Sequence, residues 1–190
     1  EYRRLAELKT RFKGASVHAY TATATERVRE DIVSQLGLLD PAVLVGVFDR
    51  PNLTYRVVPR SKRADQVVDV VWATVAFGMG IDRSNGRCVV HATMRKSVEH
   101  YQQETGRAGR DGLEAECVLL YSASDAVRWR QLLESSAEES GADIGPQLEL
   151  LRGMQRVCST LTCRHKALSE YFGQAYEREH CGACDVCLGE

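Results

Sequence analysis

The carboxyl-terminal end of the sequence carries the residues whose spacing points most directly to chemistry. The segment CGACDVC places Cys181, Cys184 and Cys187 at two consecutive C-x-x-C steps. Thiolates at that spacing can converge on one point, as a tetrahedral Zn²⁺ ion requires. Because four of the seven cysteines crowd toward this end, the pattern favours a metal site over a disulfide framework. Cys88 and Cys117 lie on predicted strands and are expected in the core.

The fourth ligand of this metal site is less firmly determined by spacing. Cys163 lies upstream across seventeen intervening residues and is the preferred ligand, whereas Cys158, His165 and His180 are rivals. A closed set of four cysteines leaves no open coordination position, so the predicted zinc is structural rather than catalytic. An iron–sulfur cluster, a set of free thiols and a disulfide pair are the alternatives.

A second stretch with chemical meaning is HYQQETGRAGRDG, residues 100–112. Arg107 and Arg110 lie three residues apart in it, surrounded by glycines. Guanidinium groups form strong paired hydrogen bonds with anions such as phosphate, and Gly106 and Gly109 allow the backbone to approach closely. The stretch therefore indicates an anion-binding loop, with a charged surface turn as the alternative.

Three loops with unusual composition follow predicted strands, namely residues 21–25 (TATAT), 73–83 (ATVAFGMGIDR) and 105–112 (TGRAGRDG). In parallel α/β sheets, ligands bind beyond the carboxyl ends of the strands. Each loop alone is a weak signal, because hydroxyl-rich turns and glycine-rich connections are common. Together, in an alternating β/α pattern, they favour a nucleotide-handling protein.

The elements that would position these loops are read from hydrophobic periodicity and turn residues. The alternation of strands and helices predicts an α/β protein with a parallel sheet. Thr23 and Glu26 have capping-box spacing, Gly37 suits a helix C-terminal cap, and Ser97 suits an N-cap. Strands are predicted at residues 16–20, 42–48, 67–77, 87–92 and 115–122. Helices are predicted at residues 2–12, 26–37, 97–104, 124–136, 147–159 and 163–173.

Composition limits the classes of function. The chain is 44% hydrophobic and 27% charged, as in ordinary soluble globular proteins. Its formal net charge is −1, so contact with nucleic acid must depend on a local patch. The longest apolar stretch, residues 67–81, is interrupted by Asp69 and two glycines and is shorter than the roughly 20 residues of a membrane span. The sequence opens without a signal peptide or a methionine, and we expect it to start inside a longer protein.

Several of these motifs, in this order, resemble the RecQ family of ATP-dependent DNA helicases. They are TVAFGMGIDR (74–83), HYQQETGRAGRDG (100–112) and the segments CRHKALSEYFG and CGACDVCLGE within residues 163–190. FDRPNL (48–53) also matches, and TATAT (21–25) is similar to the family's motif III. The resemblance covers the whole chain and is most specific in its second half.

The resemblance implies a fold and a set of partners. The fold is α/β, a partial RecA-like parallel sheet of the P-loop NTPase type with helices, followed by a small helical zinc-binding domain. In the complete protein, two lobes would clamp ATP and Mg²⁺, and the enzyme would move 3′ to 5′ on single-stranded or partially duplex DNA. No membrane partner is expected. The implied location is the bacterial cytoplasm, or the nucleus in a eukaryote.

The resemblance also implies roles for individual residues. The implied catalytic residues are Arg110 and Arg107, which would reach the γ-phosphate from the second lobe, and Gln103, which would relay the nucleotide state. Gly80 and Asp82 are the implied cofactor-binding positions. For Gln103 and for Thr74, a role as a satisfied surface or capping residue is an equal alternative. The residues implied to contact nucleic acid or couple the lobes are Thr21, Thr23 and Thr74.

Parts of the family pattern are absent from this sequence. Neither the Walker A loop, G-x-x-x-x-G-K-[ST], nor the acidic D-E-x-H motif occurs in it. Only seven residues, SKRADQV (61–67), separate YRVVPR from VDVVWATVAF, too few for the β/α units expected there. We therefore expect four parts: the end of the first lobe, a truncated junction, the end of the second lobe, and a linker with the zinc-binding domain. Their bounds are 1–56, 57–66, 67–137 and 138–190.

Two hypotheses follow. The chain is part of an ATP-dependent helicase of DNA recombination and repair that needs the missing lobe for activity. Alternatively, it is an ATPase-inactive, zinc-stabilised module for nucleic-acid binding or protein docking. The part after the linker, from Gln147 to Glu190, is expected to fold on its own.

Overall fold

The structure is a computed structural model that describes residues 7, 11, 12, 14–60 and 85–190. The predicted strand at 67–77 lies outside these residues, as do Thr74, Gly80, Asp82 and most of the predicted helix at 2–12. The helices are α1 (Glu26–Gln35), α2 (Val98–Thr105), α3 (Ala123–Ser140), α4 (Gly145–Ser159), α5 (Arg164–Tyr171) and α6 (Asp185–Leu188). The strands are β1 (Leu53–Pro59), β2 (Cys88–His91) and β3 (Ala115–Tyr121).

The three described strands form one parallel sheet in the order β1-β3-β2. Leu53 of β1 pairs with Ala115 of β3, and Cys88 of β2 pairs with Glu116. Alternate residues of β3 are buried, so one face of the sheet lies on the core and the other is half exposed. The parallel α/β class and the predicted strands at 87–92 and 115–122 are confirmed.

The first strand differs from the prediction. Residues 16–20 and 42–48 were predicted as strands, but neither segment is a strand in the structure. β1 begins instead at Leu53, two residues after Pro51. Its buried Leu53 and Tyr55 alternate with Thr54 and Arg56, the period of a half-buried strand, and its pairing with β3 makes it part of the sheet. The boundary predicted after residue 56 therefore divides a strand that belongs to the sheet.

The outer edge of β1 is closed by the carboxyl-terminal segment. The Tyr55 N–H donates to the Ala183 carbonyl at 3.2 Å, and the Val57 N–H donates to Asp185 Oδ2 at 3.0 Å. An unpaired strand edge exposes main-chain groups that can pair with other chains. The cysteine-rich segment thus satisfies donors on β1 that β3 does not reach.

The helix ends confirm two predicted caps and correct one. Ser97 is the N-cap of α2, and its hydroxyl accepts from the His100 N–H. Gly37 has φ +57°, as expected for a glycine after a helix C-terminus. The N-cap of α1 is Thr25 rather than Thr23, so the predicted capping box does not form.

The segment AEESGADIGP (137–146), whose polar residues, glycines and proline predict a linker, is largely helical. α3 continues through Ser140 and ends at Gly141, whose φ of +65° stops it. α4 starts at Gly145, with Pro146 in its first turn, where the missing N–H is tolerated. Alanine, glutamate and serine can all occupy a solvent-exposed helix. The polar composition of this segment therefore comes from the exposure of the helix and does not indicate a linker.

A single hydrophobic core joins the sheet to the helices that follow it. Buried Leu53 and Leu119 from the sheet share this core with Met154 of α4, Phe172 and Cys184. The expectation that Gln147–Glu190 folds on its own is not supported, because this region completes a core begun by the strands. Within the described residues, no helix combines the length and apolarity needed to cross a membrane.

Candidate zinc centre and arginine loop

Four cysteines from two distant segments converge at the carboxyl-terminal end. The sulfurs of Cys163, Cys181, Cys184 and Cys187 all lie within 4.8 Å of one another. Sulfurs around a tetrahedral zinc ion, with Zn–S bonds of about 2.3 Å, lie about 3.8 Å apart. Cys163 immediately precedes α5, and Cys184 is the N-cap of α6, so the starts of two helices position two of the sulfurs.

Main-chain donors surround these sulfurs. The Cys184 sulfur accepts from the N–H groups of Arg164 at 3.5 Å and Cys187 at 3.4 Å, and the Cys181 sulfur accepts from Ala183 at 3.3 Å. Such bonds favour thiolate, the form that binds metal.

Cys181, Cys184 and Cys187 do not ionise alike. Burial opposes ionisation of Cys187, but the Cys181 N–H, the His180 side chain and neighbouring thiols lower its pKa to about 6. Burial raises the pKa of Cys184, and burial with nearby thiols raises that of Cys181. A divalent cation bound by the group would displace the remaining protons. The cluster therefore fits a structural zinc ion.

The rival ligands are placed elsewhere. His165 Nδ1 lies 2.6 Å from Asp49 Oδ1, and its Nε2 lies 2.9 Å from the Leu53 carbonyl. Neither ring nitrogen is left for a metal. Cys158 is buried in the core, where burial raises its pKa to about 12. His180 lies beside the cluster as a hydrogen-bond partner of Cys187, outside the group of converging ligand atoms.

A buried ion pair locks the two ligand segments together. Arg164, next to Cys163, donates from Nε and Nη2 to the two carboxylate oxygens of Asp185 at 2.9 and 2.8 Å. Burial works against the charged carboxylate, but these bonds and the Val57 N–H hold the pKa of Asp185 below its ordinary value. Sequence reasoning missed this pair. The signal was present, since each of the two residues of opposite charge directly follows a ligand cysteine.

Arg107 and Arg110 lie in the loop between α2 and β3, residues 106–114, which we call the arginine loop. Arg110 is exposed, whereas Arg107 is half-buried, and its Nε has no hydrogen-bond partner among the described residues. Gln103 is exposed on the last turn of α2. The three predicted catalytic residues thus lie within eight consecutive positions of the chain, with Gln103 and Arg110 exposed and Arg107 half-buried.

The last turn of α2, which leads into the arginine loop, is tied to the sheet. Glu104 Oε2 lies 2.7 Å from His91 Nε2 and 2.6 Å from Arg95 Nε. Burial raises the pKa of Glu104, but His91 and Arg95 outweigh it and leave this pKa lowered. Because His91 ends β2, the charged cluster fixes the helix end relative to the sheet.

Residues from FDRPNL hold the arginine loop from the other side. Asn52 Nδ2 donates to the carbonyls of Gly109 at 3.0 Å and Leu113 at 2.9 Å. The Gly109 N–H donates to the Gly86 carbonyl at 2.9 Å. Arg50 also donates to main-chain carbonyls of this loop. These two side chains are functional candidates that sequence reasoning named only as part of a motif, because their partners lie more than fifty residues away.

Replacing Gly109 by alanine should destabilise the protein by about 2 kcal/mol or more. Gly109 has φ +54°, and an added Cβ would lie 2.5 Å from Asn52 Nδ2 and 2.7 Å from the Leu113 carbonyl. Gly112→Ala is the matched control, because its φ is +81° but no other atom lies within 4 Å of the added Cβ. Urea unfolding should show a larger loss for Gly109→Ala, and equal losses would contradict the close packing described.

The predicted coupling residues lie before α1. Thr21 is exposed, and its hydroxyl lies 3.5 Å from the Thr23 carbonyl. Thr23 is half-buried. In α1, the helix that follows, the side chains of Glu26 and Arg29 lie close to Gly173. The described contacts therefore lead from this segment toward the region that follows α5.

Two protein-family profiles match the sequence of this chain. Residues 123–188 match the profile described as RecQ zinc-binding, and residues 56–112 match the helicase conserved C-terminal domain. The first match includes all four converging cysteines, and the second includes Arg107 and Arg110. Over 99% of its length the chain is also 33% identical to the ATP-dependent DNA helicase RecQ of Pasteurella multocida (strain Pm70).

The chain carries a RecQ zinc-binding domain. It is also 34% identical to the ATP-dependent DNA helicase RecQ of Bacillus subtilis (strain 168) over 90% of the chain, covering 38% of that relative. With the RecQ-like DNA helicase BLM of Xenopus laevis, identity is 30% over the full chain, covering 19% of the relative. The helicase C-terminal match, a domain of RecA-like fold, includes β2 and α2, whereas the RecQ zinc-binding match includes α3 to α6 and the cysteine cluster.

The chain spans about two fifths of the length of the RecQ relative from Pasteurella, 39%. That alignment runs over 247 positions, whereas the chain has 190 residues, so more than fifty positions have no counterpart in it. This supports the expectation that the chain is internally shorter than its family. The family assignment also favours zinc over an iron–sulfur cluster at the four cysteines.

Proposed function

We propose that the protein carrying this chain is an ATP-dependent DNA helicase that moves 3′ to 5′ along single-stranded or partially duplex DNA in recombination and repair. The observation that carries the proposal is the arginine loop, in which exposed Arg110 projects from a backbone fixed by hydrogen bonds on both sides. Relatives named as ATP-dependent DNA helicases share the whole length of the chain.

In this proposal Arg110 meets the γ-phosphate of an ATP held by the first lobe, and Arg107 assists. Phosphoryl transfer is catalysed mainly by positioning and by neutralising charge, and an arginine supplied across a cleft stabilises the transition state. The planar guanidinium offers paired donors that fit phosphate oxygens. Gln103, one turn before the loop, relays the nucleotide state to the DNA contacts.

The remaining predicted positions complete the proposal. Thr21 and Thr23 couple the lobes, and Thr74 contacts the DNA backbone. Gly80 and Asp82 are the proposed cofactor-binding positions, and Asp82 relays the nucleotide state together with Gln103. Of these, only the first two lie among the described residues.

We further propose that Cys163, Cys181, Cys184 and Cys187 are the ligands of one structural zinc ion. The ion supplies a cross-link and no reactive position, since the four sulfurs close its coordination. Arg164 and Asp185 support the site by joining the segments that carry the ligands. The region thereby completes the core and closes the edge of β1.

A second function, an ATPase-inactive module that binds nucleic acid or protein, is favoured by the absence of a Walker A motif from this sequence. ATP hydrolysis with and without single-stranded DNA separates the two. We expect DNA-stimulated hydrolysis by the whole protein and none by this chain alone, because it has no P-loop lysine to hold the phosphates. A whole protein without DNA-stimulated hydrolysis would leave only the binding module.

A further inference from the structure

Arg50 holds the carbonyls that precede Arg110. Its Nη2 donates to the carbonyl of Ala108 at 3.1 Å and to that of Gly109 at 2.9 Å. Hydrogen bonds from a charged donor are stronger than those between neutral groups. The Gly109 carbonyl, which belongs to the peptide leading into Arg110, accepts from both Arg50 and Asn52. The charged guanidinium of Arg50 thus holds the main chain directly beside Arg110, which is exposed.

The segment that carries Arg50 is itself anchored. The Phe48 ring stacks on Phe172 with centroids 4.3 Å apart and planes 6° from parallel, and the Phe48 N–H donates to Gln174 Oε1 at 2.8 Å. Asp49 accepts from His165 at 2.6 Å. Because the two residues before Arg50 are tied to the zinc-binding region, its guanidinium starts from a fixed backbone.

We propose that Arg50 is a positioning residue, which sets the direction of Arg110 by holding the Ala108 and Gly109 carbonyls and does not itself touch the nucleotide. The inference rests on the proposed function, in which Arg110 meets the γ-phosphate. Misplacing a catalytic group by about 1 Å can lower the rate about 100-fold. Loss of Arg50 should therefore act on turnover rather than on binding.

The test uses the whole protein and DNA-stimulated ATP hydrolysis. Arg50→Ala should lower kcat about 10- to 100-fold, with KM for ATP and the affinity for single-stranded DNA changed by less than about twofold. Arg50→Lys keeps the charge without the planar guanidinium and should restore only part of the rate. Arg152→Ala is the control, because Arg152 is an exposed arginine on α4 paired with Glu149, and it should keep wild-type kcat.

A double variant separates positioning from general destabilisation. If Arg50 acts only through Arg110, Arg50→Ala with Arg110→Ala should be no slower than Arg110→Ala alone, measured in single turnover. Losses that multiply, or wild-type kcat for Arg50→Ala, overturn the inference. If Arg50→Ala does not fold, Asn52→Ala, which removes a neutral donor to the Gly109 and Leu113 carbonyls of the same loop, replaces it under the same criteria. Wild-type turnover by Arg110→Ala alone would instead reject the proposed arginine role, and the inference with it.

Discussion

Replacing Arg110 by alanine in the whole protein is expected to reduce the kcat of DNA-stimulated ATP hydrolysis by about 10³- to 10⁵-fold, the range found for arginines that stabilise phosphoryl transfer. KM for ATP should change little, because the contact matters most in the transition state. Arg110→Lys should recover only part of the rate, since an ammonium group cannot form the paired hydrogen bonds of a guanidinium.

Arg107→Ala serves as the comparison for this result. Arg107 is half-buried, so its loss should also lower the unfolding temperature, whereas Arg110 is exposed and its loss should not. Steady-state kinetics and thermal unfolding of both variants check the assignment. Wild-type turnover in Arg110→Ala would remove the arginine loop from the catalytic proposal.

The second large effect concerns the metal. We expect one zinc ion per chain by elemental analysis, and Cys184→Ser should lose it and unfold the region around α5 and α6. Structural zinc contributes about 10–16 kcal/mol in small zinc-binding peptides, comparable with the whole stability of a typical domain, about 5–15 kcal/mol. Cys184 is fully buried and accepts two main-chain hydrogen bonds, so a serine there would leave these donors poorly satisfied as well.

Cys88→Ser is the matched control for the zinc experiment. Cys88 was expected in the core, but it is exposed on β2 and outside the converging group, so its replacement should leave zinc content and unfolding unchanged. Chelation of the wild-type protein should reproduce the Cys184→Ser result. Less than one zinc per chain, or unaltered unfolding after chelation, would count against a structural site.

The features that sequence predicted well are those encoded over short distances. The three closely spaced cysteines, the Ser97 cap and the strands at β2 and β3 each depend on neighbouring residues. Cys163 joins the cluster from farther away, and only its residue type and the family resemblance suggested it. The arginine loop was placed correctly after α2 for the same reason, since its glycines and arginines are contiguous.

The features that sequence missed depend on partners far along the chain. β1 was overlooked although Leu53 and Tyr55 alternate with Thr54 and Arg56 as in a half-buried strand, and its place in the sheet follows from pairing with β3 more than fifty residues later. Residues 137–146 were predicted as a linker because they are polar, but a solvent-exposed helix can be equally polar. The roles of Arg50 and Asn52 follow from hydrogen bonds to carbonyls more than fifty residues away, which no local spacing can indicate.

The closure of β1 by Ala183 and Asp185 has a consequence for biosynthesis. On a ribosome that adds about 5–20 residues per second, β1 emerges roughly 6–25 s before the segment that covers its edge. During that interval its outer donors lack these partners, and pairing with another nascent chain competes with native closure. A shortage of zinc during this interval would delay the covering of the β1 edge further. The supply of zinc during translation should therefore affect the yield of folded protein.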